Sequence, residues 1–139
     1  MTLPQLVLFG AILAQALLTI ALYAMLIRAR FGVPRAELRK EMAYDQSAWP
    51  VKARLVSNSV TSQFELPILF YVGALLALQV GTVDIALAAL AWLFVVLRVA
   101  HAVIHTGKNI VMRRFGVFFA GFVTLIAFWI WLSVRAFAG

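Results

Sequence analysis

The chain has no cysteine in 139 residues, and only 12% of its residues carry charge. The first absence excludes disulfides, thiolate metal sites and a thiol nucleophile borne by the protein. Any thiol chemistry must therefore arrive with a small molecule. The second excludes an ordinary soluble domain, in which roughly a quarter of residues are charged and about half are apolar. Here 65% are hydrophobic, and mean hydropathy is +1.00. A soluble domain of this length has too much surface to hide so many apolar side chains. The composition is that of one domain living in a bilayer.

Four apolar runs make up most of the chain: Leu3 to Ile27, about Leu55 to Val80, Ile85 to about Ile104, and Phe115 to Val134. Each is about 20 to 25 residues, enough to cross a ~30 Å hydrocarbon core as helix. The predicted fold is an all-α, four-transmembrane-helix bundle over residues 1–139. Its helices fall at about 3–27, 55–80, 84–107 and 114–136, and a long connection occupies about 28–54. Ala14-Gln15-Ala16 resembles a signal-peptidase site. No Lys or Arg precedes the first run, however, and it stays apolar to Arg28, so it reads as a retained helix.

A net charge of +7 and a pI near 10.9 invite a nucleic-acid reading, but the distribution of charge argues otherwise. Arg28, Arg30, Arg35, Arg39, Lys40, Lys52 and Arg54 lie in or beside the first connection, and Lys108, Arg113 and Arg114 in the third. Ten of the twelve basic residues thus share one end of the bundle. That end is expected to be cytoplasmic, with both termini on the far side. Topology and anionic headgroups account for the charge, and no nucleic-acid partner is implied.

Within the first connection, Arg35 to Met42 is expected to form a short interfacial helix. Tyr44 and Trp49 suit the headgroup level. So long a connection between closely spaced spans reads either as a solvated loop or as a substrate-binding segment. Small residues four apart (Gly10 and Ala14, Gly73 and Ala77, Gly116 and Ala120) allow close helix approach in lipid.

The informative residues are the polar ones inside the spans. Each ionisable group there costs roughly 2.5 to 3.5 kcal/mol, so each needs a partner or a purpose. Arg54, Asn58, Ser62 and Glu65 are spaced by four, four and three, which confines them to about an 80° sector at 100° per residue. Pro67 removes a backbone donor and frees the carbonyl of Gln63, predicting a kink just past this stripe. Arg98, His101 and His105 form a second stripe approaching the same end. Arg98 and Glu65 lie at comparable depth, which predicts a buried Glu65–Arg98 ion pair. That pair reads either as a structural register lock or as part of a site. The two histidines lack a third ligand at metal-site spacing, so no metal is expected. Lys108, Arg113 and Arg114 at the mouth of the last run read as an insertion stop signal or as an anion site able to stabilise a thiolate. Two polar stripes converging on one arginine-rimmed end suit a small, anionic, polar ligand and an apolar co-substrate entering from lipid.

Gln63-Phe64-Glu65-Leu66-Pro67-Ile68-Leu69-Phe70-Tyr71, with Arg98-Val99-Ala100-His101 running on to His105, Gly107, Lys108, Asn109 and Arg114, resembles the MAPEG family. The name stands for membrane-associated proteins in eicosanoid and glutathione metabolism. The resemblance is closest to the bacterial branch and covers essentially the whole chain. It implies a homotrimer in a bacterial inner membrane, with glutathione as co-substrate between subunits near the cytoplasmic side. It also implies conjugation or reduction of lipophilic electrophiles or lipid hydroperoxides, with no metal. Carried over by position, Glu65 and Arg98 match the intramembrane carboxylate and arginine. Arg114, with Arg113 as rival, matches the arginine that stabilises the thiolate. Arg54 and His101 match positions near the tripeptide, and His105 falls where the eicosanoid enzymes usually have tyrosine. Asn58 stands where the family has an arginine and Ser62 where it has an asparagine.

These readings leave four functions in competition, the last a purely structural subunit of a larger complex. The leading one is a glutathione transferase or peroxidase, acting through attack by an arginine-stabilised thiolate. A non-catalytic family member binding lipid or a protein partner is the second. A proton-coupled transporter is the third, and it would need Glu65 free of Arg98.

Overall fold

Thr2 opens the first helix with a reciprocal cap. Its N–H donates to Gln5 Oε1 at 2.7 Å, and its hydroxyl accepts from the Gln5 N–H. Pro4 sits in the first turn, where a missing N–H costs nothing. From there α1 runs over Leu3–Phe31, four residues beyond the expected end, so Arg28 and Arg30 lie in its last turn, where cations suit the helix dipole. The computed structural model describes residues 1–139 and continues with α2 (Val51–Ser62), α3 (Leu66–Val80), α4 (Ile85–Thr106) and α5 (Val111–Ala138). Four helical stretches are long and apolar enough to cross a membrane, the second being Val51–Val80 taken through its break. The chain is an integral membrane protein with an up-and-down bundle. The α1–α2 connection and the α4–α5 turn therefore share the basic end.

The expected interfacial helix over Arg35 to Met42 does not form. Three one-turn 3₁₀ segments stand instead, at Arg35–Glu37, Lys40–Ala43 and Gln46–Ala48. Leu38 and Arg39 adopt extended backbone between the first two, which interrupts any longer helix. Side chains hold this connection in place. The Trp49 indole N–H donates to the Met42 carbonyl at 2.9 Å, and the Arg30 guanidinium lies 4.9 Å over the Trp49 ring. The Asp45 carboxylate accepts from the Ser47 N–H and hydroxyl, which holds its pKa below the ordinary carboxylate value.

The expected kink in the second span is a full break. Glu65 has φ −99° and ψ −105°, far from helical, and Pro67 lies in the first turn of α3. The ring of Pro67 would collide with the carbonyl four residues back, so the chain leaves the helix at Gln63 and restarts at Leu66. The break falls within the predicted polar stripe, so Glu65 is displaced from it.

Around this break the interior is layered. Far from the basic end, Leu8, Phe70, Leu87, Phe94 and Phe128 form the main apolar core, with Phe70 stacked on Phe94 at 5.1 Å. Toward the basic end a smaller cluster joins Leu22, Leu26, Val56, Val60 and Ala102. Between the two lies a polar layer of Gln15, Ser59, Ser62, Gln63 and Arg98, all buried. Gln15 Nε2 donates to Gln63 Oε1 at 2.9 Å, and Gln63 Nε2 donates to the Ser59 carbonyl at 3.1 Å. These bonds tie α1 to the break.

At the far end, Gly81 takes φ 73°, the left-handed conformation that ends α3. Asp84 then caps α4 through the Leu87 N–H and accepts from the Trp131 indole at 3.0 Å. It also pairs with Arg135 Nε at 3.3 Å, clasping α4 to α5.

The small residue Gly73 faces α5. A Cβ there would stand 2.8 Å from Phe128 Cε1 and 3.2 Å from the Trp129 ring. Phe128 is fully buried and has no room to retreat. Gly73→Ala is therefore expected to destabilise the bundle by at least about 1 kcal/mol. The check is a lower unfolding midpoint in a denaturing-detergent titration, with Gly116→Ala, where a Cβ meets open space, unchanged.

Candidate functional site

At the basic end, α2, the break, α4 and the first turns of α5 enclose a cleft of about 500 Å³. Its polar wall is Asn58, Thr61, Ser62, Glu65, His101, His105 and Arg114. Its apolar wall is Val111, Phe115 and Phe118. Six of the nine predicted site residues line it: Asn58, Ser62, Glu65, His101, His105 and Arg114. The two stripes converge because each repeats every three to four residues on facing helices. The volume lies within the range of about 300–1,000 Å³ usual for small-molecule sites. The cleft is open on one side, where Asn58, Thr61, Glu65 and Phe115 are exposed.

The predicted Glu65–Arg98 ion pair is not made. Arg98 is 2% exposed and aims its Nη2 at Ser62, donating to the carbonyl at 3.1 Å and to Oγ at 2.7 Å. The helix break is the cause. It leaves the Ser62 carbonyl without the N–H four residues on and with only a long 3.5 Å bond from the Glu65 N–H, and Arg98 takes its remaining acceptor capacity. It also turns Glu65 outward, and the chain's one ion pair is Asp84–Arg135. Arg98 thus underlies the cleft, bracing Ser62 from behind.

His101 and His105 stand one turn apart with ring centroids 5.5 Å from each other, edge to face, and Phe118 packs 6.0 Å from His101. The Nδ1 atoms of both histidines are buried without a hydrogen-bond partner.

Arg114, and not Arg113, belongs to the cleft. With α5 beginning at Val111, successive side chains diverge by 100°, so Arg113 points outward and is exposed. Arg114 Nη1 donates to Asn109 Oδ1 at 2.6 Å. Asn109 has φ 50°, a conformation asparagine tolerates, and its N–H closes the end of α4 on the Ile104 carbonyl. It thereby fixes the guanidinium. Sequence reading placed Asn109 in a motif without giving it a role. An asparagine two residues after Gly107 in the four-residue α4–α5 turn is the signal that points to it.

Arg54 does not reach the cleft either. It lies in the first turn of α2, and its side chain, tilted toward the helix N-terminus, lines a separate hollow beneath the α1–α2 connection. Thr61, Val111, Phe115 and Phe118 are wall residues that the polar pattern did not single out.

A four-span membrane bundle, broken at a proline and carrying a cationic polar cleft at its basic end, defines the class of protein. The MAPEG family profile matches residues 7–134. The chain belongs to the MAPEG family, membrane proteins of eicosanoid and glutathione metabolism. No curated protein and no solved structure matches it.

Proposed function

We propose that this protein is a glutathione-dependent membrane enzyme that conjugates or reduces lipophilic electrophiles, lipid hydroperoxides among them. The observation that carries the reading is the convergence of Asn58, Ser62, Glu65, His101, His105 and Arg114 on one cleft walled by Phe115 and Phe118. The donor set fits a tripeptide with two carboxylates, an ammonium and a thiol. Arg114 offers a fixed cation, Glu65 a partner for the ammonium, Asn58 an amide, and the His101 and His105 rings further hydrogen-bonding capacity. Glutathione, when bound, supplies the sulfur that this cysteine-free chain lacks. The residues do the rest. Arg114, anchored by Asn109, presents positive charge where the thiol sits and favours its ionised form. Arg98 rigidifies Ser62 and adds a second cation behind it. Phe115 and Phe118 give an electrophile dissolved in lipid an apolar approach.

Closure of the cleft by neighbouring copies belongs to the same proposal. Glu65 and Asn58 face outward within a span, and a carboxylate exposed to hydrocarbon is costly. A second copy covering that side removes the cost, which supports a homotrimer with sites between subunits. The basic end is proposed to face the cytoplasm of a bacterium, with the protein in the inner membrane and both termini outside.

The alternative, a non-catalytic member binding lipid or a partner, draws on one observation: the Ser62 hydroxyl is already engaged by Arg98. Stopped-flow mixing of the purified protein with glutathione, read at the ultraviolet band of the thiolate, separates the two. A saturable thiolate signal is expected. Binding without ionisation leaves a glutathione-binding protein without catalysis, and absence of binding overturns the reading.

A further inference from the structure

The α1–α2 connection encloses a hollow of about 440 Å³ that the proposed chemistry does not use. Glu37, Arg39, Ser47, Trp49 and Arg54 line it, with Met42 on its apolar side. Three charged side chains share this space, and none forms an ion pair with another. Arg54 Nε is buried and has no hydrogen-bond partner. Side-chain contacts tie the frame around them: Trp49 is held by Met42 and Arg30, Arg30 Nη2 donates to Gln46 at 3.4 Å, and Asp45 holds Ser47. The hollow sits where α2 enters the membrane, the depth of lipid headgroups, with Trp49 as the interfacial aromatic.

We propose that this hollow binds a phospholipid headgroup whose phosphate ester carries a primary ammonium. Two guanidiniums, Arg39 and Arg54, suit a phosphate, which they meet with paired N–H donors. The Glu37 carboxylate repels a purely anionic headgroup and accepts hydrogen bonds from an ammonium. The charge pattern therefore selects a zwitterion. A quaternary ammonium has no N–H to donate, and the one aromatic face that could hold it is covered by Arg30. The hollow lies outside the cleft, so this binding is independent of glutathione chemistry.

The test uses delipidated full-length protein in detergent micelles doped with phosphatidylethanolamine, phosphatidylglycerol or phosphatidylcholine, with retained lipid counted by native mass spectrometry. The wild type is expected to retain phosphatidylethanolamine over the other two by about tenfold, the worth of one charge-assisted contact. Arg54→Gln is expected to lose that retention by a similar factor. Glu37→Gln, on the exposed connection, is expected to gain phosphatidylglycerol while losing its preference for phosphatidylethanolamine. A folding defect does not invert selectivity in this way. Arg114→Ala is expected to leave retention unchanged. Equal retention of all three lipids, or unchanged selectivity in Glu37→Gln, overturns the proposal. Soluble phosphoethanolamine raising the melting temperature of delipidated protein as much as the lipid does overturns the lipid source. Displacement of the lipid by glutathione overturns the separation of the two sites.

Discussion

Arg114→Ala is expected to abolish the thiolate signal at neutral pH and to lower turnover of a lipophilic electrophile by roughly 10²- to 10³-fold, the scale on which one preorganised donor acts. Glutathione binding is expected to survive, because Glu65, Asn58 and the histidines remain. Arg113→Ala serves as the internal control. That side chain is exposed and outside the cleft, so loss of one nearby positive charge leaves the signal in place. Glu65→Gln is expected to weaken binding without changing the ionisation of what binds. Asn109→Gly keeps the backbone conformation and removes only the anchor of Arg114, so a reduced thiolate amplitude with unchanged stability is expected. Equal losses from Arg113→Ala and Arg114→Ala would assign the effect to overall charge and remove Arg114 from its role.

The largest effect on stability is expected at the amide pair in the middle of the bundle. Gln63→Leu leaves the fully buried Gln15 amide without its partner, a penalty of about 1–3 kcal/mol for a stranded buried donor. Gln15→Leu strands the Gln63 carbonyl oxygen in the same way. The double variant removes both polar groups and is expected to recover most of the loss, because nothing is then left unpaired. Unfolding by denaturing-detergent titration of the four proteins gives the coupling directly, and strictly additive losses would refute it. Gln63 begins the break that exposes Ser62 to Arg98 and turns Glu65 outward to the open side of the cleft. The single variants are therefore also expected to raise KM for glutathione more than they lower kcat.

Much of this protein is written in one dimension. Transmembrane spans require runs of about twenty apolar residues, so their number is visible in the chain. The up-and-down order and the basic end follow from the succession of four spans and the placement of ten cations in the first and third connections. The polar stripes are also legible, because helical periodicity alone puts Asn58 and Ser62, or His101 and His105, on one face. Family motifs around Glu65 and Arg98 added a ligand class for such a cleft.

The tertiary structure decided how those residues meet. Equal depth along two helices suggested that Glu65 and Arg98 pair, but depth says nothing about the backbone between Ser62 and Leu66. Once Pro67 opens that backbone, a freed carbonyl competes for Arg98, and the carboxylate swings outward. Arg113 and Arg114 are equivalent in charge and separated by one position. Only the start of α5 at Val111, with the Asn109 turn before it, sets which guanidinium faces the cleft. Arg54 shares the stripe's periodicity, yet it begins a helix, and a side chain there leans back over the preceding loop. Spacing determines which residues can share a face, whereas helix ends and backbone breaks determine which of them touch.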